Sequence, residues 1–117
     1  MQNNYALMYL LGQTLYFHGK KTEANKYFTE GLKWADLELQ KDTSNPELYA
    51  QRGLCYARLG RRSQAIEAAT RGANFGEHQD RIAARLANIY AILDDKKEVL
   101  RWLDNAKQLS PNDYDLA

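Results

Sequence analysis

Apolar residues recur along the chain at spacings of three and four, which is the spacing of one face of an α-helix. Three such stripes are Tyr5, Met8, Leu11 and Leu15; Leu48, Tyr49, Cys55, Tyr56 and Leu59; and Leu86, Ile89, Tyr90 and Leu93. The strict alternation of apolar and polar residues that marks a β-strand is absent. The pattern therefore predicts an all-α fold.

Turn and breaker residues divide this pattern into six helical segments. We predict helices over residues 4–18, 22–41, 46–59, 63–74, 79–93 and 96–109. Asn45 before Pro46 is typical of a helix start, and Ser63 is the expected N-cap of the fourth helix. Gly19 and Gly60 lie where a helix ends with a left-handed residue. The residues after Ser110 resemble the opening of a seventh helix.

The segments form a repeat. A shift of 34 residues places Gly53 on Ala87 and Tyr56 on Tyr90, and a shift of 41 places Gly12 on Gly53. The seven extra residues of the second shift equal about two helical turns, so they lengthen one helix without rotating its apolar face. We expect Leu32, Ala35 and Leu39 to continue that face.

A 34-residue helix–turn–helix unit resembles the tetratricopeptide repeat. The positions that align with its pattern are Met8, Leu11, Gly12, Leu15, Ala24 and Phe28; Tyr49, Arg52, Gly53, Tyr56, Ala65 and Ala69; and Ala83, Leu86, Ala87, Tyr90, Val99, Leu103 and Pro111. Arg52 and Ala69 depart from the Leu and Phe of the pattern, and Asp94 stands in place of its turn Gly. The resemblance implies a right-handed α-solenoid of three repeats, with six helices and the start of a seventh. The single domain then spans 1–117, with repeats at about 5–45, 46–79 and 80–113.

Composition and motifs argue against catalysis and against a nucleic-acid partner. Lys and Arg number 16 and Asp and Glu 15, which leaves a net charge of +1 without the basic excess of a nucleic-acid binder. Cys55 is expected to be a buried packing residue, and His18 and His78 have no metal-ligand partners at the required spacing. The chain shows no phosphate-binding loop and no membrane segment. We therefore expect a non-enzymatic cytoplasmic protein without a cofactor, a metal or a membrane contact.

The resemblance also implies that the first helix of each repeat lines a concave groove for a peptide or helix. The peptide-binding residues predicted there are Tyr9, Gln13, Tyr16, Gln51, Leu54, Arg81, Arg85 and Asn88. Some chaperone-binding tetratricopeptide domains hold carboxylates with a clamp whose positions here are Tyr9, Gln13, Gln51, Arg81 and Arg85. Arg81 and Arg85 match the clamp in charge, and Tyr9 does not. Arginines at positions 52, 58, 61, 62, 81 and 85 favour an acidic peptide.

Two functions remain open from the sequence. The first is an interaction module that binds a protein or peptide in the groove, as an adaptor, co-chaperone or regulatory domain. The alternative is an assembly scaffold that oligomerises or docks a neighbouring domain. It would use the open C-terminal end of the stack or an apolar ridge of Trp34, Leu37 and Leu39 on the lengthened helix. Either a partner covers that open end or the chain is cut from a longer protein.

Overall fold

The computed structural model describes residues 4–75 and 80–109, with side chains throughout except at 80 and 107–109. The described residues form six helices: α1 (Asn4–Phe17), α2 (Lys21–Lys41), α3 (Pro46–Arg58), α4 (Arg62–Ala73), α5 (Asp80–Ile92) and α6 (Lys96–Leu109). Each predicted helix agrees with one of these to within one residue at both ends, which confirms the all-α prediction. The predicted start of a seventh helix and His78 lie outside the described residues.

Three-residue turns fold the helices into three hairpins, α1–α2, α3–α4 and α5–α6. The middle of each turn is left-handed, with φ of 81° at Gly19, 77° at Gly60 and 59° at Asp94. In every turn the next amide donates to a carbonyl five residues earlier, at 2.9 Å, as in a Schellman motif. The turn prediction for Gly19 and Gly60 is confirmed, and Asp94 tolerates the same backbone because its short polar side chain suits that region.

Helix starts agree with the sequence in one case and differ in another. The amide of Glu47 donates to Oδ1 of Asn45 at 3.0 Å, with Pro46 in the first turn, as predicted for α3. The prediction that Ser63 caps α4 is wrong. That helix begins at Arg62, so Ser63 already lies inside its first turn.

The first helices form one layer and the second helices another. Contacts join α1 to α3 and α3 to α5, so the first helices lie side by side. Among the described residues no contacts join α2 to α4 or α4 to α6. An inner layer of adjacent helices and an outer layer of separated ones give a curved stack, whose concave side is made by α1, α3 and α5. The largest fully buried side chains include Phe28, Leu54, Ile82, Leu86 and Ile89.

Helix α2 is the longest helix, with 21 residues against 12 in α4. Leu32, Ala35 and Leu39 are all buried along it, so the predicted continuation of its apolar face is confirmed. The predicted exposed ridge on this helix is corrected by the same observation. Leu39 packs inward and Trp34 is half-buried, which leaves Leu37 as the exposed member.

Candidate functional site

A polar cavity of about 400 Å³ opens on the concave side, where the N-terminal parts of α1, α3 and α5 meet. It is lined by Tyr5, Ala6, Asn45, Glu47, Gln51, Arg81 and Arg85. Three of the predicted groove residues, Gln51, Arg81 and Arg85, are thus brought together. The first helix of every hairpin contributes to the wall of the cavity, so the cavity exists only when the hairpins are stacked.

Glu47 binds both arginines of α5 across the boundary between two hairpins. Its Oε2 lies 3.4 Å from Nε of Arg81, and its Oε1 forms an ion pair with Arg85. The Glu47 side chain is mostly covered, whereas that of Arg81 is 62% exposed. The side chain of Arg81 is therefore the more exposed partner of this pair, and the described lining residues include two positive groups, Arg81 and Arg85, and one negative group, Glu47.

The amide of Gln51 is the most deeply buried polar group of the cavity. The residue is 4% exposed, and its Oε1 has no hydrogen-bond partner within the part of the chain that the structure describes. A buried amide oxygen without a donor costs about 1–3 kcal/mol. Gln51 therefore places an unsatisfied acceptor in the wall of the cavity, where its neighbours cover it.

Tyr5 adds a neutral hydroxyl at the edge of the cavity. Burial, and then the negative charges of Glu47 and Glu38, raise the pKa of the Tyr5 hydroxyl above its ordinary value. The hydroxyl consequently remains protonated at neutral pH and is available as a donor. Together Tyr5, Arg81 and Arg85 offer donors for a carboxylate.

Two predicted groove residues belong to the core instead. Leu54 is 1% exposed, and Tyr9 packs its ring against Phe28 with 5.6 Å between the centroids. Burial raises the pKa of Tyr9, and its hydroxyl accepts a hydrogen bond from Nε of Arg58 at 3.4 Å. Because α3 contacts α1, α2, α4 and α5, its middle turns are covered on nearly every side. Neither Leu54 nor Tyr9 is positioned to contact a ligand directly.

The remaining predicted groove residues lie away from the cavity. The half-buried ring of Tyr16 has Arg58 and Lys21 over its face, at 5.3 and 5.4 Å from the centroid. Gln13 is half-buried and Asn88 is exposed. None of the three lines the cavity. Of the predicted groove residues, Gln51, Arg81 and Arg85 therefore lie together at the cavity, and the others lie elsewhere.

Five of the six arginines that predicted a basic surface, at positions 52, 58, 62, 81 and 85, have partners within the chain. Arg52 forms an ion pair with Asp36 of α2 at 3.0 Å, and Arg62 donates to the carbonyl of Leu93 at 2.8 Å. Arg58 stacks on two aromatic rings of α1. The basic stretch expected from the sequence is therefore reduced, and Arg81 is the most exposed of the cavity's two cations.

The predicted peptide-binding residues do not include Tyr5, Ala6, Asn45 or Glu47, although the groove-facing stripe of the repeat pattern contains Ala6 and Glu47. A signal for Glu47 was present, because Glu47 and Arg81 occupy the same position of adjacent repeats, 34 residues apart. Opposite charges at one repeat position indicate a contact across the repeat boundary. Ala6 and Glu47 also lie on the groove-facing stripe of their helices.

Three further observations concern the cysteine, metal binding and membrane insertion. Burial raises the pKa of the Cys55 thiol to about 12, which makes it a poor nucleophile. Nowhere in 4–75 or 80–109 do three His, Cys, Asp or Glu side chains gather so that they could hold a metal ion. None of the described helices combines the length and apolar character needed to cross a membrane.

Comparison with protein families matches residues 46–72, which are most of the α3–α4 hairpin, to the tetratricopeptide repeat. Comparison with curated proteins finds no match. Helical hairpins with the same left-handed turn flank the matched one on both sides. A matched hairpin at the centre of the chain, with the same architecture before and after it, fits a tetratricopeptide-type repeat protein.

Proposed function

We propose that the polar cavity binds a short acidic segment of a partner protein. Tetratricopeptide repeats are in general non-catalytic modules of protein–protein interaction. The observation on which the proposal depends is the cluster of Glu47, Gln51, Arg81 and Arg85 on the concave side of the stack. The protein then acts as an adaptor that holds a linear motif.

The two arginines provide the affinity for a carboxylate. Arg81 reaches solvent, and its planar guanidinium can donate two parallel hydrogen bonds to a carboxylate. Glu47 occupies the arginines in the free protein and so competes with an incoming carboxylate. Ligand binding is therefore an exchange of one ion pair for another, and Glu47 lowers the affinity while it keeps the arginines in place.

Gln51 provides recognition of the peptide main chain. Its Oε1 is buried and lacks a donor in the free protein, and we expect the side chain to turn towards the cavity on binding and accept from a backbone N–H of an extended peptide. Satisfying a buried acceptor recovers part of the cost of its burial. A ligand that pairs an N–H with a neighbouring carboxylate therefore fits the cavity better than a free carboxylate.

Binding is tested with fluorescence anisotropy on labelled short peptides that carry Glu, the isosteric Gln, or neither, each with a free or an amidated C-terminus. We expect the Glu peptides to bind and Arg81→Gln or Arg85→Gln to weaken them about fivefold or more, since a partly exposed ion pair contributes about 1 kcal/mol. Glu47→Gln is expected to tighten acidic peptides by a similar factor, because it removes the competing carboxylate.

Arg101→Gln is the matched control, because Arg101 is an exposed arginine in an ion pair on α6, outside the cavity. It should leave every affinity unchanged. Gln51→Leu should weaken the Glu and Gln peptides equally, since it removes the acceptor for the main chain. The proposal fails if acidic and neutral peptides bind alike or if Glu47→Gln weakens the acidic ones.

A further inference from the structure

Where α1 and α3 end, a second group of cationic and aromatic side chains lies apart from the polar cavity. It consists of Tyr16, Phe17, Lys21 and Arg58, which we call the turn-end cluster. The guanidinium of Arg58 lies 5.3 Å from the ring centroid of Tyr16 and 5.0 Å from that of Phe17. The ammonium of Lys21 lies 5.4 Å from the centroid of Tyr16. Two positive groups are therefore held next to one aromatic ring.

The positive groups of the turn-end cluster have no ion-pair partner in the described part of the chain. No carboxylate that the structure describes pairs with Lys21 or Arg58. Arg52 of the same helix provides a contrast, because it lies over a tyrosine ring in the same way but also pairs with Asp36 at 3.0 Å. Stacking on a ring orients the planar guanidinium of Arg58, whose remaining N–H groups suit a carboxylate. The cluster is therefore complementary to an anionic group.

The turn-end cluster and the polar cavity lie on the same side of the stack. Arg58 follows Glu47 by 11 residues on α3, and Tyr16 follows Tyr5 by 11 residues on α1. Eleven residues make just over three turns of an α-helix, so the later residue of each pair points to nearly the same side as the earlier one. Tyr5 and Glu47 line one cavity, and Arg58 contacts Tyr16, so α1 and α3 are neighbours at both levels. The groove therefore has a cationic site at each end.

The distance between the two sites matches an extended peptide of about five residues. Eleven residues of α-helix rise by about 16 Å. An extended chain advances by about 3.3 Å per residue. Acidic side chains about five residues apart can therefore reach both sites at once.

Two amide side chains lie between the sites. Gln13 follows Ala6 by seven residues, which is about two helical turns, so it lies on the cavity side of α1. Asn88 follows Arg81 by the same number on α5 and is exposed. An amide side chain can donate to a peptide carbonyl and accept from a peptide N–H. The stretch between the two cationic sites therefore suits a peptide main chain.

We propose that the acidic segment is bipartite, with one carboxylate in the polar cavity and a second, about five residues away along an extended chain, bound to Arg58 in the turn-end cluster. This inference rests on the proposed function, which supplies the first carboxylate. Charge selects the second group, because a neutral or basic side chain would leave Lys21 and Arg58 without a counter-charge. The cavity alone selects an acidic residue, and the two sites together select the spacing between two of them.

Fluorescence anisotropy on labelled peptides with blocked termini tests the spacing. Each peptide carries one Glu and a second Glu placed two to twelve residues further on, and its reference peptide carries Gln at the second position. We expect the second Glu to tighten binding to the wild type about fivefold at a spacing of five, the effect of one partly exposed ion pair. At spacings of two or nine the gain should be much smaller. This series needs no variant of the protein.

Arg58→Gln should bring the affinities for the two-Glu peptide and its reference to about the same value. The ratio of the two affinities is the readout, so a general loss of binding cancels, and circular dichroism checks that the variant is folded. Arg52→Gln is the matched control, because Arg52 is another ring-stacked arginine of α3, but its guanidinium pairs with Asp36 of α2. It should keep the fivefold ratio.

Three results would overturn the bipartite segment. A gain that is equal at every spacing, or that Arg52→Gln removes as fully as Arg58→Gln, would indicate general attraction of charge. An optimum at eleven residues would indicate a helical ligand instead of an extended one. If no single-Glu peptide binds the wild type, the proposed function itself fails and this inference fails with it, whereas a single Glu that binds without any gain from a second one overturns this inference alone.

Discussion

At the scale of single residues, the closeness of two helices in a hairpin depends on positions where no side chain fits. A Cβ atom added to Gly12 would lie 2.7 Å from the ring of Phe28, well inside ordinary contact distance. A Cβ added to Gly72 would meet its nearest neighbours at 3.5 Å or more. The two glycines occupy different repeat positions, and only the first is required by contact with a bulky side chain.

We predict that Gly12→Ala lowers the free energy of unfolding by about 1–3 kcal/mol, because the buried ring of Phe28 must move to make room. Gly72→Ala is the control and should be neutral or stabilising by up to about 1 kcal/mol, since alanine is the better helix former. Urea denaturation followed by circular dichroism measures both. Equal effects of the two substitutions would show that the short Cβ distance at Gly12 has no energetic consequence.

Cys55 gives a prediction about reactivity and pH. Burial raises the pKa of its thiol from 9.0 to about 12, so the folded protein holds a proton that the unfolded chain releases. The unfolded state binds fewer protons above pH 9, and the free energy of unfolding should fall as the pH rises from about 9 towards 12. Below pH 9 the contribution is fully present.

Thiol labelling and alkaline denaturation test this prediction together. A water-soluble thiol reagent should modify the native protein slowly and the denatured protein at once. In Cys55→Ala, stability should depend less steeply on pH just above 9, before the tyrosines, whose ordinary pKa is 10.0, contribute. Rapid labelling of the native protein would contradict a buried Cys55.

At the scale of the element, each helix begins and ends through local hydrogen bonds. The Schellman turns close all three hairpins in the same way, and Asn45 supplies the cap of α3. Asp95 does the same for α6, since its Oδ1 accepts from the amide of Glu98 at 3.3 Å. Helix α4 begins without a side-chain cap. The start of α3 therefore depends on one side chain, that of Asn45, whereas the start of α4 does not depend on a side-chain cap.

We expect Asn45→Ala to destabilise the protein by about 1 kcal/mol, the usual cost of losing an N-cap. Ser63→Ala serves as the comparison. Because Ser63 lies inside the first turn of α4 and is exposed, its replacement by a better helix former should cost nothing. Thermal unfolding of the two variants distinguishes Asn45, which caps α3, from Ser63, which lies inside α4. A larger loss of stability in Ser63→Ala than in Asn45→Ala would contradict the observed start of α4.

At the scale of the whole molecule, stability is shared unequally along the stack. Helix α3 contacts four other helices, α1, α2, α4 and α5, whereas α6 contacts only α5 within the described residues. In a repeat array each hairpin is stabilised by its neighbours, so the central helix opens only when several contacts are lost. Local opening should therefore begin at the ends of the stack.

Hydrogen exchange measured by mass spectrometry tests this gradient. We predict that the amides of α3 exchange most slowly and those of α6 fastest among the helices. Uniform exchange across all helices would indicate a single cooperative unit and contradict the gradient.

The sequence predicted the helices well because their signals are local. Apolar spacing, the glycines of the turns and the Asn45–Pro46 start each act within a few residues, and the structure confirms them. The burial of the predicted groove residues was predicted less well. Tyr9 and Leu54 occupy positions that face a groove in the repeat pattern, yet Tyr9 packs against Phe28 and the helices around α3 bury Leu54.

The sequence by itself determined the all-α class, the three hairpins and the lengthened α2, because helix periodicity and turn chemistry are properties of short segments. Only the tertiary structure decided that Glu47 pairs with Arg81 and Arg85, since these residues meet across the boundary between hairpins. It likewise decided that Leu7 remains exposed while Leu48 and Ile82 are buried. All three are apolar residues at one repeat position, and what separates them is whether a preceding hairpin packs against them.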